Sequence, residues 1–322
     1  MPDGNTSTQA PGERFGHRPV LLETVIAHLQ PQPGDVVVDA TFGGGGYTAA
    51  MSRLVGSEGR VIAIDRDPEA IGRGERRLES CRNVTLVHDN FSRISEIVQQ
   101  QGISHVNVAV FDLGVSSFQV DDGQRGFSFT HNGPLDMRMN PADTLSAEQI
   151  INDWPVGDLE MLIWTYGQER FARRIARAIE RDRPLVSTAA LALVVSAAIP
   201  RKYWPKRIHP ATRTFQAVRM EVNDELGSLQ RGLRGAMEVL SPGGRLGVVS
   251  FHSLEDKIAK NLLNVSPNVC TCPPQTVVCT CARQAPLFRV SHKLIHPSAE
   301  EVAENPRARS AKLRVATRVT GQ

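Results

Sequence analysis

Four consecutive glycines behind a short apolar run constrain the fold of this chain more than any other feature. The apolar run covers residues 36–40 (VVVDA), the glycines are residues 43–46, and a helical stretch through Arg53 follows. The apolar run predicts a short strand that is buried on both faces. Glycines at the end of such a strand let a ligand approach the backbone, because no Cβ blocks the way. The pattern predicts the first strand, turn and helix of a doubly wound α/β sheet.

Strands and helices continue to alternate as far as residue 113. We predict further strands at residues 60–65, 84–88 and 106–113, and a helix over residues 68–80 with Pro68 in its first turn. Such alternation is typical of a parallel sheet with helices on its faces.

The alternation stops over residues 119–211, where no strong strand signal occurs. The helical segments predicted in this region are residues 146–152, 159–166, 169–181 and 188–198. The α/β pattern resumes with a helix around residues 221–240 and strands at residues 245–251 and 313–317. We therefore predict that a helical insertion interrupts one sheet.

Two acidic residues stand at the ends of predicted strands. Asp65 closes the second strand, where an acidic residue commonly accepts hydrogen bonds from ribose hydroxyls. Together with the glycine-rich turn, it indicates an adenosine-type ligand, which leaves NAD and S-adenosylmethionine both open. The fourth strand ends in Asp112-Leu113-Gly114, at the position where methyltransferases place the group that meets the methyl acceptor. This detail favours the methyl donor.

Composition excludes some classes of protein and says little about partners. The chain is 41% hydrophobic and 22% charged, which is typical of a globular protein. It has no apolar run long enough to span a membrane, and its first residues lack the pattern of a signal peptide. We therefore expect a cytoplasmic protein without a membrane partner. The net charge of +3 does not by itself indicate nucleic acid.

One local cluster does indicate a nucleic-acid partner. Residues 200–219 contain six basic residues and no acid, and Tyr203, Trp204 and Phe215 lie among them. Basic groups bind phosphates and aromatic faces stack on bases, so the mixture predicts RNA contact. The alternative is a solvated hinge between domains. The predicted RNA-binding residues are Arg201, Lys202, Trp204, Lys206, Arg207, Arg213 and Arg219.

Four of the five cysteines form two close pairs, Cys270 with Cys272 and Cys279 with Cys281. Such a set is able to hold zinc in principle. The Cys-x-Cys spacing is unusual for zinc, however, so reduced thiols in a loop are the favoured interpretation and no metal is predicted.

Nine motifs, in order along most of the chain, resemble those of the bacterial 16S ribosomal RNA cytosine-N4 methyltransferase family. They are HRPVLL (residues 17–22), DATFGGGG (39–46), AIDRDP (63–68), FDLGVSS (111–117), RGFSF (125–129), GPLDMRM (133–139), HPATRTFQ (209–216), SFHSLED (250–256) and ENPRARS (304–310).

The resemblance implies a Rossmann-like class I methyltransferase sheet with an inserted helical domain. It predicts a cofactor-binding methyltransferase domain over residues 17–118 and 212–322, and an insertion domain for substrate recognition over residues 119–211. Residues 1–16 are polar and rich in glycine and proline, which predicts a disordered tail. The implied cofactor is S-adenosylmethionine. The implied cofactor-binding residues are Gly44, Gly45, Gly46, Tyr47, Asp65, Phe91, Asp112 and Gln119. The family usually has histidine at the position of Tyr47, so a side-chain role there is in doubt.

The resemblance also implies methylation of N4 of one cytidine in the decoding region of 16S ribosomal RNA, in the small subunit or its precursor. No obligate protein partner is implied. The cytosine amine is a poor nucleophile, since its lone pair is delocalised into the ring. Asp112 is the candidate to accept a hydrogen bond from this amine, unless it serves the cofactor instead. His252 and Asp256 are secondary catalytic candidates; alternatively, they belong to a strand end and a helix cap with Ser253 as the N-cap residue.

Three alternative functions remain open at this point. An NAD-dependent oxidoreductase would share the glycine turn, although no substrate-domain signature supports it. A non-catalytic ribosome-binding protein would share the fold, but it would have no need of Asp65 and Asp112. A DNA cytosine-N4 methyltransferase would share the chemistry, and the absence of an Asp/Asn-Pro-Pro-aromatic motif weighs against it.

Overall fold

The computed structural model describes residues 19–263, 288–290 and 294–319. The chain divides into two compact units: Val115–Gly227 forms one, and the chain on either side of it forms the other. The predicted tail and the four paired cysteines lie outside the described residues. We call Val115–Gly227 the helical unit and the remaining part of the chain the sheet unit.

The sheet unit contains seven strands. They are β1 (Val36–Asp39), β2 (Arg60–Asp65), β3 (Val84–His88), β4 (Val106–Asp112), β5 (Leu240–Ser250), β6 (Phe288–Val290) and β7 (Lys312–Arg318). Their order is β3-β2-β1-β4-β5-β7-β6. The first five strands are parallel, whereas β7 runs antiparallel to both β5 and β6. This confirms the predicted α/β, Rossmann-like sheet. The expectation of parallel strands holds for β1 to β5 only, and β6 was missed because three residues carry no recognisable alternation.

The helices of the sheet unit cover both faces of this sheet. They are α1 (Leu22–Leu29), α2 (Gly46–Val55), α3 (Pro68–Arg77), α4 (Ile94–Gln100), α11 (Glu225–Val239), α12 (Ser253–Leu263) and α13 (Ala299–Glu304). Neighbouring strand residues point to opposite faces. Val37 therefore packs with residues of α1 and α2, and Val38 packs with residues of α4 and α11. Burial on both faces explains why the strands read as continuous apolar runs.

The helical unit consists of α5 (Ser117–Asp121), α6 (Ala147–Asp153), α7 (Val156–Thr165), α8 (Ala172–Asp182), α9 (Thr188–Ala198) and α10 (Thr212–Val222). A hydrophobic core of its own runs from Leu135 to Val222. Serine–glutamine capping boxes begin α5 and α6. None of the helices in the described part of the chain is both long and apolar enough to cross a membrane.

The helix predicted around residues 221–240 is confirmed as α11, but α11 begins only at Glu225, because the chain leaves the helical conformation between α10 and α11. Asn223 ends α10, and Asp224 takes a positive φ of 44°. The side chain of Phe215 on α10 belongs to the core of the helical unit. The compact unit consequently begins earlier and ends later than the predicted insertion of residues 119–211.

One buried amide fixes α10 to the segment around Met137 and Met139. The side chain of Asn223 donates to the carbonyls of Met137 (2.7 Å) and Arg219 (2.8 Å), and it accepts from the backbone N–H of Met139 (2.8 Å). Asn223 is 1% exposed. Its removal would leave buried backbone groups without partners, which is costly.

We expect Asn223→Ala to lower the free energy of unfolding of the helical unit by about 2–4 kcal/mol. The measurement is urea denaturation of the full chain. Asn140→Ala is the matched control, because the side chain of Asn140 accepts a local hydrogen bond from the backbone N–H of Ala142 in an exposed turn. Equal losses in the two variants would show that the buried amide does not hold the unit together.

Candidate functional site

Three carboxyl groups lie at the carboxyl ends of three adjacent strands. Asp39 ends β1, Asp65 ends β2 and Asp112 ends β4. The strand order reverses between β1 and β4, because β2 and β3 lie on one side of β1 and β4 lies on the other. Ligands of open α/β sheets bind in the crevice at such a reversal. The candidate site is therefore the carboxyl edge of β1, β2 and β4.

Asp39 is fully buried at this edge. Its side chain accepts hydrogen bonds from the hydroxyl of Thr48 (2.6 Å) and from the backbone N–H of Thr41 (3.2 Å). Burial raises the pKa of Asp39 to about 6, and the charge of Asp65 adds to the increase. Sequence reasoning did not single Asp39 out as a ligand-binding residue. The signal was its place directly before the glycine turn.

Asp65 fixes the glycine turn from the neighbouring strand. Its carboxylate accepts hydrogen bonds from the backbone N–H groups of Gly43 (2.7 Å) and Asp67 (2.9 Å). Burial raises the pKa of Asp65 to about 6, although these two hydrogen bonds oppose the increase. The predicted binding residue therefore also shapes the loop that would receive the ligand.

Asp112 differs from the other two acids because one of its oxygens is unsatisfied. Its backbone N–H donates to the hydroxyl of Thr41 (2.7 Å), which joins β4 to the turn after β1. Within residues 19–263, 288–290 and 294–319, no group forms a hydrogen bond with the buried Oδ1 of Asp112. Burial raises the pKa of this carboxyl well above its usual range, and the charges of Asp39 and Glu255 add to the increase. A buried acceptor without a partner is costly, so the group is poised to receive a donor or a cation.

Two positions of the glycine turn require glycine, each for a different reason. Gly45 has a φ of 82°, a conformation that side chains disfavour, and it directly precedes α2. At Gly46 a Cβ would lie 2.2 Å from Cγ of Pro19. Gly46 is therefore required by packing inside the chain, whatever its role toward a ligand. Gly44, also predicted as a binding residue, directly precedes Gly45 in the turn.

Two predicted cofactor-binding residues direct their side chains into the protein interior. Tyr47 is 3% exposed, and its hydroxyl donates to the carbonyl of Val20. A contact of Tyr47 with a ligand is thus left to its backbone. Phe91 packs edge-on against Phe111, with ring centres 5.5 Å apart, and against Gly232 on α11. Its ring is partly buried, and the residue lies three positions after the end of β3.

Gln119 lies in the helical unit, on α5. Its amide accepts from the backbone N–H of Ser116 (3.0 Å), while the hydroxyl of Ser116 accepts from the backbone of Gln119. The residue is 5% exposed. A binding role for Gln119 stays a prediction.

The contacts of His252 and Asp256 support the alternative, structural interpretation of both residues. α12 begins at Ser253, so His252 and not Ser253 precedes it. Nε2 of His252 lies 3.0 Å from Oε1 of Glu255, whose other oxygen accepts from two backbone N–H groups. Asp256 forms an ion pair with Arg314 on β7 at 2.7 Å. Asp256 is therefore not a free proton acceptor in this structure.

The predicted RNA-binding residues fall into two groups. Arg219 forms two hydrogen bonds to Glu225 (2.7 and 2.8 Å), and its side chain is only 16% exposed, so its surroundings do not favour the predicted RNA contact. Arg213 lies 3.4 Å from the buried carboxylate of Glu169 and is half exposed. The remaining predicted residues are all exposed: Arg201, Lys202, Trp204, Lys206 and Arg207.

The strand order and the acids at the ends of β1, β2 and β4 define a Rossmann-like α/β fold with its candidate ligand site at the reversal of strand order. The model of the MraW methylase family matches residues 14–319. "Ribosomal RNA small subunit methyltransferase H" of Heliobacterium mobile is 45% identical over 310 residues, which cover 95% of this chain and 99% of that protein. Proteins of the same name from Brevibacillus brevis (98% of that protein) and Syntrophotalea carbinolica (99%) are each 44% identical over 95% of this chain.

This chain belongs to the MraW methylase family. The resemblance drawn from the sequence motifs is thereby confirmed. The alternative of an NAD-dependent oxidoreductase is wrong, because the glycine turn belongs to a methylase.

The raised pKa of Asp39 predicts a pH-dependent stability. A carboxyl with a raised pKa in the folded state stabilises that state below its unfolded pKa of 3.8, and the contribution is lost as pH rises through about 6. Asp39→Asn removes the ionisation and keeps an acceptor for Thr48. We expect the variant, without cofactor, to gain about 2 kcal/mol relative to wild type between pH 4 and pH 7.5.

Urea denaturation at both pH values measures this difference. Glu58→Gln, at an exposed position, is the control and should show no such change. A stability difference between Asp39→Asn and wild type that is the same at both pH values would contradict the prediction.

Proposed function

We propose that this protein transfers a methyl group from S-adenosylmethionine to N4 of a cytidine in the decoding region of 16S ribosomal RNA, in the cytoplasm. The observation that carries the proposal is the unsatisfied, buried carboxyl of Asp112 at the reversal of strand order, in a chain of the MraW methylase family. The name of the relatives, ribosomal RNA small subunit methyltransferase H, supports the substrate.

The residues present fit a cationic, adenosine-containing cofactor. Asp39, Asp65 and Asp112 all have raised pKa values, so a positive charge among them would restore their ionised forms. When bound, S-adenosylmethionine supplies an electrophilic methyl group on a positive sulfonium. We assign Asp65 to the ribose hydroxyls, and the backbone of Gly44, Gly45, Gly46 and Tyr47 to the amino-acid part. Phe91 would form an apolar wall.

Asp112 is assigned the central role toward the acceptor amine. An N–H···Oδ1 hydrogen bond would satisfy its orphaned oxygen and orient the nitrogen lone pair toward the methyl group. Methylation of N4 leaves one surplus proton on the nitrogen, and we assign its acceptance to the carboxylate of Asp112. In its ionised form, a carboxylate whose pKa is raised by burial is a stronger base than an exposed aspartate. Orientation within the site lowers the barrier further, by as much as about 7–11 kcal/mol at best.

His252 and Asp256 are assigned supporting roles. His252, with Glu255, fixes the start of α12 next to the carboxyl end of β5. Asp256 ties α12 to β7 through Arg314. These contacts shape the edge of the sheet on which Asp112 lies.

The helical unit is assigned to substrate recognition. Its exposed basic residues offer phosphate contacts on a surface where residues 200–219 contain no acid. Arg201, Lys202, Lys206 and Arg207 would bind the RNA backbone, with Trp204 among them. Such contacts position RNA and make its binding dependent on salt.

The test of the proposed function is a strain that lacks this protein. We expect mass spectrometry of its small-subunit RNA to show one cytidine without its N4 methyl group, and restoration of the gene to return that group. An unchanged methylation pattern would refute the assignment of the substrate.

Asp112→Asn separates the two roles that are open to this residue. If Asp112 accepts the amine proton, the variant should lower the single-turnover rate of methylation at saturating cofactor by about 10²-fold or more. Its cofactor affinity, measured by calorimetry, should be nearly unchanged. Asp153→Asn, at an exposed position on α6, is the control and should keep most of the rate. Loss of cofactor affinity with a normal saturated rate would assign Asp112 to the cofactor instead.

A further inference from the structure

An exposed cluster of rings and cations occupies one part of the helical unit. It joins the residues that precede α8 to the short 3-10 turn Arg201–Tyr203. We call it the stacking surface, and its members are Arg170, Phe171, Arg201, Lys202, Tyr203 and Trp204.

Arg170 lies at the centre of the stacking surface. Its guanidinium carbon is 4.2 Å from the ring centre of Tyr203 and 4.7 Å from that of Phe171. The two rings are 5.4 Å apart and inclined by 38°. Nζ of Lys202 is 5.0 Å from the Tyr203 ring. Both Arg170 and Tyr203 are exposed, so these two members of the cluster are not part of the hydrophobic core.

The rings are held in place before any partner arrives. Pro200 and Pro205 flank the turn, and the backbone N–H of Tyr203 donates to the carbonyl of Pro200 (2.8 Å). The indole N–H of Trp204 donates to the carbonyl of Ile199 (2.9 Å). The ring is therefore fixed even though 37% of Trp204 is exposed. A preorganised aromatic surface loses little conformational freedom on binding.

We propose that the stacking surface binds an unpaired base of the RNA substrate. This inference rests on the proposed function and names the kind of RNA structure that the protein recognises: a single-stranded segment whose base is free to stack. Aromatic faces and guanidinium planes stack on unpaired bases, whereas bases inside a duplex present no face to them. The predicted basic residues alone would grip any RNA backbone.

Charge and shape together favour RNA over an acidic protein. An acidic protein segment would need the cations of this surface but would gain little from Tyr203 and Trp204. Phosphates next to a base use both, since Lys202 and Arg201 stand beside the two rings. Loss of ring and loss of charge should therefore have different effects, and the salt dependence of binding separates them.

The experiment measures binding of the full-length protein to fluorescent RNA at several salt concentrations. The probes are a single-stranded pyrimidine oligonucleotide and the same strand paired in a duplex. Tyr203→Ala should weaken binding to the single strand about tenfold or more and leave the salt slope unchanged. Tyr203→Phe, which keeps the ring, should bind as wild type does.

Lys206→Ala serves as the matched charge variant, because Lys206 is exposed and takes no part in the ring contacts. It should lower the salt slope by about 0.7 for single-stranded RNA and weaken the binding of both probes alike. Arg170→Lys keeps the charge and loses the planar group, so it should behave like Tyr203→Ala. In methylation assays, the ring variants should raise KM and leave kcat nearly unchanged.

Equal affinity of Tyr203→Ala and Tyr203→Phe for the single strand would overturn the proposal, as would equal losses on single strand and duplex. Displacement of RNA from wild type by polyglutamate as readily as by unlabelled RNA would assign the surface to acidic protein segments. Failure of the proposed function would look different, because wild type would then methylate no small-subunit RNA at all.

Discussion

Burial of three carboxyl groups along one edge of the sheet is the constraint on which the site depends. Parallel strands place their carboxyl ends at the same edge of a sheet, so Asp39, Asp65 and Asp112 lie close to one another. Buried like charges raise one another's pKa values and destabilise the ionised form. Hydrogen bonds from Thr48 and from the glycine turn offset part of this cost at the first two acids. Asp112 Oδ1 has no such partner among the described residues, and this is the atom assigned to the chemistry.

The same acids connect the local sequence to the function. Asp65 holds Gly43, and Thr41 joins the glycine turn to Asp112. A cation in the crevice would therefore act on the charge, the turn and the base together. The helical unit has its own hydrophobic core, and the exposed side chains of Tyr203 and Arg170 are not part of it. One unit thus contains the acids assigned to the chemistry, and the other contains the side chains assigned to RNA.

The sequence predicted what is encoded locally and missed what depends on tertiary packing. The strand–turn–helix pattern and Pro68 are local signals, and both were confirmed. The break at Asn223 was missed because residues on both sides favour a helix, and a buried amide decides the matter. The environment of Gly46 depends on Pro19, and the ion pair of Arg219 depends on Glu225. The burial of Tyr47 and the ion pairing of Arg219 cannot be read from composition.

The measurement that tests the central claim most directly compares the affinities of two ligands from pH 5 to pH 7.5. S-adenosylmethionine carries a positive sulfonium, whereas S-adenosylhomocysteine has a neutral sulfur in its place. If the buried carboxyls form the site, S-adenosylmethionine should bind more tightly as pH rises through about 6, because Asp39 and Asp65 become ionised. The affinity for S-adenosylhomocysteine should rise much less. Parallel pH profiles for the two ligands would contradict the account.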